Sequence, residues 1–183
     1  METIILIKNL INFIGDRSSR QELIHTPSRV NKTLKNIYYG YIPFSPEMNK
    51  SFEVSNLNLE LIYIKDVFFG SNCEHHMLPF FGKADFIYYP STKIIGLSKI
   101  ISILNYYSAR LQTQERLAQQ VAYCIKRLIR PRALIIRLTC KHTCMMIRNV
   151  KSICSSTSVT INDGISNISE VVMNKMLNSL NNW

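Results

Sequence analysis

Two long helix-like stretches, residues 94–107 and 113–129, lie between runs of strand character, and that order narrows the possible folds more than any other feature. Strand character fills 59–69 and 83–89, with a turn expected at Phe81-Gly82. The second helical stretch carries Leu117, Val121, Cys124, Ile125 and Leu128 on one side, and Pro131 stops it. A strand rich in Leu, Ile and Thr is expected over 133–148 and a last one near 155–161. Helices inserted between pairs of strands predict an α+β domain on an antiparallel sheet. With 183 residues, 46% of them apolar, the chain can bury one real core.

Residues 4–14 form an apolar stretch that imitates a signal core. It carries Glu2 just before it and Lys8 within it, shows no small-residue cleavage pattern and is too short to span a bilayer. It is expected to be an amphipathic helix. A second helix is expected with Thr26 as N-cap and Pro27 at the first helical position, Val30, Leu34, Ile37 and Tyr38 as its apolar stripe, and Gly40 at its end. Residues 41–58 look irregular. The net charge of +10 suits a polyanionic partner, whether nucleic acid, membrane surface or nucleotide triphosphate, but it forms no long basic run and equally fits a Lys- and Asn-rich composition. The five cysteines are odd in number in a chain unlike a small secreted scaffold, so reduced thiols and a cytoplasmic setting are expected.

Cys73 and His76 form a C-x-x-H pair on an expected loop between strands, and thiolate plus imidazole suits Zn²⁺. Alone the pair is weak, since a buried thiol beside a solvated histidine reads the same way. His142-Thr143-Cys144 adds a second piece. On a strand running through these residues, His142, Cys144 and Arg148 share one face, and Cys140, on that face too, is expected to be structural. Cys73, His76 and Cys144 would supply three ligands and leave one position open, the pattern of a catalytic rather than a structural zinc. Three of the four histidines fall in these two segments; His25 is expected to be incidental. Glu115 stands in the first turn of the long helix, where it either only complements the helix dipole or accepts hydrogen bonds from a guanine's N1–H and 2-amino group. Arg29, Lys32, Lys99 and Arg148 could jointly receive phosphates, although each singly reads as a solvated charge.

With these residues in view, the chain resembles GTP cyclohydrolase I. The matching stretches are Thr26-Pro27-Ser28-Arg29-Val30 with Lys32, Cys73-Glu74-His75-His76 with Pro79-Phe80 and Gly82-Lys83-Ala84, Gly96-Leu97-Ser98-Lys99, Arg110 to Leu117, and His142-Thr143-Cys144-Met145 with Arg148, in the family's order over roughly residues 20–160. The resemblance implies the tunnelling fold, an antiparallel sheet with two helices packed on one face, joined between subunits into an oligomeric β-barrel, plus N-terminal helices. It divides the chain into a helical segment at 1–45 and a catalytic domain at 46–183. A homodecamer with active sites between subunits is implied, with GTP as substrate and no nucleic-acid or membrane partner. By position, Cys73, His76 and Cys144 correspond to zinc ligands, His75 and His142 to the proton-shuttling histidines, and Glu115 with Gln114 to the guanine anchor. Ser98, Lys99, Arg29, Lys32 and Arg148 correspond to positions around the ribose and triphosphate.

Some positions depart from the family. Ser102 stands where many members carry an arginine near the phosphates, Asn149 replaces a glycine, and the tail from about Asn162 is expected to match poorly. The short stretch before Ser18 leads us to expect no N-terminal regulatory extension. Two rivals remain: a non-catalytic, zinc-stabilised oligomeric binding protein of the same fold, and a tunnelling-fold nitrile reductase. Against the second, no Gly-rich dinucleotide motif is present. A nucleic-acid-binding module would explain the charge but not the Cys/His set.

Overall fold

The computed structural model describes residues 2–43, 51–53, 60–147 and 156–181. Its elements in chain order are α1 (Glu2–Phe13), α2 (Thr26–Ile37), a 3₁₀ turn (Tyr39–Tyr41), β1 (Phe52–Glu53), β2 (Ile62–Cys73), β3 (Pro79–Tyr89), β4 (Lys93–Ile94), α3 (Leu97–Ser108), β5 (Leu111–Gln112), α4 (Gln114–Ile129), β6 (Ala133–His142), α5 (Thr143–Met146), β7 (Thr157–Asp163), a 3₁₀ turn (Ile165–Asn167) and α6 (Glu170–Asn181). The main sheet runs β5-β2-β3-β6-β7 and is antiparallel except for the two-residue β5, which lies parallel to β2; β1 and β4 form a separate small pair. The α+β expectation holds.

Side-chain alternation sorts the sheet into two faces. Phe86, Tyr88, Leu134, Ile136 and Leu138 point to one side and pack with Ile100, Ile103 and Leu104 of α3 and Leu117, Val121 and Ile125 of α4. Ile87, Ala133 and Ile135 point to the other side, where Met176 of α6 closes over them. With both faces covered, Ala133–Ile136 of β6 is buried without a break, as a central strand covered on two sides should be. Helix α6 is tied down at its C-terminal end. Arg137 donates from Nε and Nη2 to Asp85 Oδ2, at 2.9 and 2.7 Å, and from Nη1 to the Leu180 carbonyl at 2.6 Å, while Lys65 donates to the Ser179 carbonyl. Cations at these last carbonyls also complement the helix dipole.

Several sequence expectations change. Thr26 is the first residue of α2 rather than its N-cap; His25 takes that position without a side-chain cap, its carbonyl accepting from Arg29 N–H at 3.1 Å. Gly40 lies past the end of α2 and is buried. Its hydrogen-only side chain lets the 3₁₀ turn press on α3, where a Cβ would meet the Tyr106 carbonyl oxygen at 2.2 Å. Phe81-Gly82 is no turn. Both residues sit inside β3, paired with Lys141 and Cys140, and a Cβ on Gly82 would fall 1.9 Å from the Thr139 carbonyl oxygen. Glycine serves close strand approach here, not reversal. The chain instead reverses at residues 74–78, with Met77 at φ +54° and its N–H donating to the Cys73 carbonyl at 2.8 Å. Finally, β6 stops at His142 and the chain turns into the short helix α5.

Candidate metal centre and surrounding cavity

Three elements end at one edge of the sheet and bring the functional side chains together. Cys73 closes β2, His75 and His76 lie in the reversal that follows, and His142 closes β6 beside Phe80 of the intervening β3. Strands two places apart in a sheet stand about 10 Å apart, so straight continuations of β2 and β6 would keep the two sulfurs separate. The helical turn α5 removes that gap. Thr143 Oγ1 donates to the Pro79 carbonyl at 2.6 Å, latching the turn onto β3, and Cys144 reaches the reversal. The result is a group in which the ligand atoms of Cys73, His76 and Cys144 all lie within 4.8 Å of one another. Cys144 therefore shares the site through a helical turn, not through the strand alternation expected from sequence.

The group fits a borderline metal ion. Ligand atoms 2.1–2.3 Å from a tetrahedral zinc stand about 3.5–3.8 Å apart, and Cys73 Sγ lies 3.9 Å from His76 Nδ1. His75 Nδ1 is equally near that sulfur, at 3.9 Å, yet among the described residues only His76 also closes on Cys144. His75 is exposed, with Nε2 3.8 Å from a Glu74 carboxylate oxygen. Both cysteines are buried, whereas His76 faces outward, so a bound ion would keep one solvent-facing side.

A cavity of about 240 Å³ opens over this group, lined by Cys73, His75, His76, Gln114, Glu115, His142 and Cys144 together with Gln112, Thr113, Met145 and Thr157. Its far wall is the N-terminus of α4. Thr113 caps that helix by accepting from Arg116 N–H at 3.2 Å, which leaves exposed Glu115 in the first turn at the rim. Arg116 steadies the reversal: its guanidinium pairs with the Glu74 carboxylate and donates to Gln112 Oε1 and the Leu111 carbonyl, both at 2.9 Å. The ring of His142 stacks on Phe80, with centroids 4.9 Å apart and planes 13° from parallel. Burial holds the His142 pKa below its ordinary value, with the Glu115 carboxylate working the other way. Cys140 is the inert thiol expected: buried, with a pKa pushed up to about 12 by burial and further by Glu115.

Gln114 departs from expectation. Its side chain, anticipated beside Glu115 at a guanine, is buried and wholly engaged by protein. Nε2 donates to the carbonyls of Leu138 at 2.8 Å and Thr157 at 3.1 Å, while Oε1 accepts from Thr157 Oγ1 at 2.5 Å and lies 3.0 Å from His142 Nε2. Sequence reading missed Thr157, whose partner lies 43 residues away. Ser98, Lys99, Arg29 and Lys32 do not line the cavity. Ser98 and Lys99 sit in the first turn of α3, and Arg29 lies on α2 with its guanidinium 3.4 Å from the Glu22 carbonyl. Arg148 and Asn149 lie outside the described residues.

Comparison with known proteins adds three findings. The family model described as GTP cyclohydrolase I matches residues 5–181, so the match reaches well past residue 160 and into the tail expected to fit poorly. The chain is 38% identical over 156 residues to GTP cyclohydrolase 1 of Brucella anthropi, covering 84% of this chain and 73% of that one, and 38% identical over 155 residues to GTP cyclohydrolase 1 of Bartonella bacilliformis, covering 84% and 75%. Among solved structures it is similar to the archaeosine synthase QueF-Like in the apo form. That likeness has a TM-score of 0.50 at 15% identity, covers 58% of this chain and 96% of that one, and concerns the fold alone.

Proposed function

The chain belongs to the GTP cyclohydrolase I family, and from that premise we propose that it hydrolyses the imidazole ring of GTP at C8, releases formate and yields 7,8-dihydroneopterin triphosphate. One observation carries this reading beyond family membership: the Cys73, His76 and Cys144 ligand atoms, within 4.8 Å of one another, open onto the same cavity as His75, His142 and Glu115. A structural zinc site would need no such neighbours, and it would be closed rather than open on one side.

The metal proposed is zinc, held by Cys73, His76 and Cys144. Bound there it would supply the Lewis acidity that brings water into action as a nucleophile near neutral pH. The chain's own side chains have separate duties. His142, half-buried and stacked on Phe80, is placed to exchange a proton with the opening imidazole ring. His75, exposed and lining the same cavity, serves as the second proton carrier. The Glu115 carboxylate at the helix terminus accepts from guanine N1–H and the 2-amino group, fixing the base with C8 toward the sulfur-lined end. Ser98, Lys99, Arg29, Lys32 and Arg148 bind the ribose and triphosphate. These phosphates do not react, so their cationic partners contribute binding and orientation.

Because Ser98, Lys99, Arg29 and Lys32 lie away from the cavity of their own chain, the full site is proposed to form between subunits. The open edges of the sheet at β5 and β7 suit its continuation into a barrel, assembled as a homodecamer in the cytoplasm. No helix among the described residues is long and apolar enough to cross a membrane. The test is incubation of zinc-loaded protein with GTP while formate and pterin absorbance are followed. Both should rise together. Bound zinc without turnover would instead favour a metal-stabilised binding protein of the same fold.

A further inference from the structure

The amide of Gln114 has four hydrogen-bonding opportunities, two donors and two acceptor lone pairs, and the protein occupies all of them. Nε2 faces the carbonyl oxygens of Leu138 and Thr157 at 2.8 and 3.1 Å. Only an NH₂ group can face two carbonyl oxygens, so these partners settle which end of the amide is nitrogen. Oε1 must then be the atom beside His142. It already accepts the Thr157 hydroxyl at 2.5 Å, and that hydroxyl's one proton is spent there rather than on the Cys140 carbonyl at 3.5 Å. An amide oxygen can only accept, so the 3.0 Å contact with His142 Nε2 requires that this ring nitrogen carry a hydrogen.

We propose that Gln114 and Thr157 act as a positioning pair that locks His142 in the Nε2–H tautomer and leaves Nδ1 as the ring nitrogen open to a substrate. Nδ1 has no partner among the described residues, and the ring lines the cavity. Stacking on Phe80 holds the ring plane within 13° of the phenyl plane, and the contact with Gln114 sets which edge of the ring faces α4. The pair also joins three elements at the point where proton transfer is placed. Gln114 opens α4, its donors reach β6 and β7, and Thr157 begins β7. This inference rests on the proposed reaction for the use made of His142, but the tautomer itself does not depend on it.

The test uses Thr157→Val, which keeps the side chain's shape while removing its hydroxyl; Gln114 is buried across three elements, and its replacement could simply fail to fold. The zinc-loaded full-length protein, labelled with ¹⁵N-histidine, should show His142 as Nε2–H in its solid-state imidazole spectrum, the signal being assigned by its loss in His142→Asn. In Thr157→Val the two backbone carbonyls still fix the Gln114 amide, so the Nε2–H signal should persist. The loosened amide should lower kcat with GTP about ten-fold, as is usual for loss of an orienting outer partner, while KM and zinc content should stay as in the parent. Thr157→Ser should restore kcat. An Nδ1–H signal in the parent would overturn the proposal, as would an unchanged kcat in Thr157→Val, or a fall in kcat accompanied by matching changes in KM and zinc. If the parent shows no turnover, the reaction assignment fails, while the spectrum still decides the tautomer.

Discussion

The sulfur-lined end of the cavity and the cationic side chains of α2 and α3 differ in how far one chain completes them. Cys73, His76, Cys144 and His142 are gathered by adjacent strand ends and a latched helical turn, so their relative positions follow from backbone pairing. Ser98, Lys99, Arg29 and Lys32 lie on helices apart from that cavity. Bond-making chemistry tolerates little displacement, whereas phosphate recognition works through long flexible side chains and survives division between subunits. On the proposed assembly, the contrast means that the reacting end is kept within one polypeptide and the anchoring end is delegated to a neighbouring subunit.

The contrast can be broken most directly at its complete end. Cys144→Ala should lose zinc and formate release together, with activity down by more than about 1000-fold; metal analysis finding a full zinc complement would remove Cys144 from the ligand set. His142→Ala should keep its zinc and lose about 10²–10⁴-fold in kcat, the usual worth of a placed acid–base group, and a variant that also lost metal would show a coordinating role instead. A subtler effect sharpens the delegated end. Cys144→Ala subunits, inactive alone, and Lys99→Ala subunits, weakened in GTP binding, should recover part of the parent activity at low GTP when refolded together, and mixtures no better than their components would confine the site to one chain. Glu115→Ala should weaken GTP binding by about 10–100-fold, as expected for lost hydrogen bonds to a charged acceptor, measurable by titration against GTP and ITP; equal affinity to the parent would remove the guanine anchor. Smallest is Ser102→Arg. The Ser102 hydroxyl now donates to the Ser98 carbonyl at 2.8 Å, one turn back on α3, and an arginine there should tighten triphosphate binding by roughly a few-fold, as one partly screened charge contact allows.

Much of this was legible beforehand because local chemistry carried it. The C-x-x-H pair, the His-Thr-Cys segment, the helix stop at Pro131 and the amphipathic face of α4 are all short-range signals, and the strands and helices came in the expected order. Long-range facts did not show. Cys144 was placed on a strand because alternation extrapolates smoothly through His142, while the actual helical turn depends on a bond from Thr143 to Pro79, 64 residues away. Gln114 was matched to the guanine anchor by its position beside Glu115 in the family resemblance, and only the approach of two carbonyls and Thr157 from other strands exhausts its amide. Helix α6 went unread because the inner face it covers is apolar, and periodicity does not tell which element will lie against such a face.

Position 82 carries a consequence for how this molecule can drift over evolutionary time. The strands β3 and β6 touch so closely at Gly82 that even a methyl group would act as a wedge. Two residues along the same seam, Phe80 faces His142. A wedge there would work like a crowbar, prying one thiol-bearing segment away from the other. The smallest side chain in the region thus governs the gap across which the two sulfurs meet.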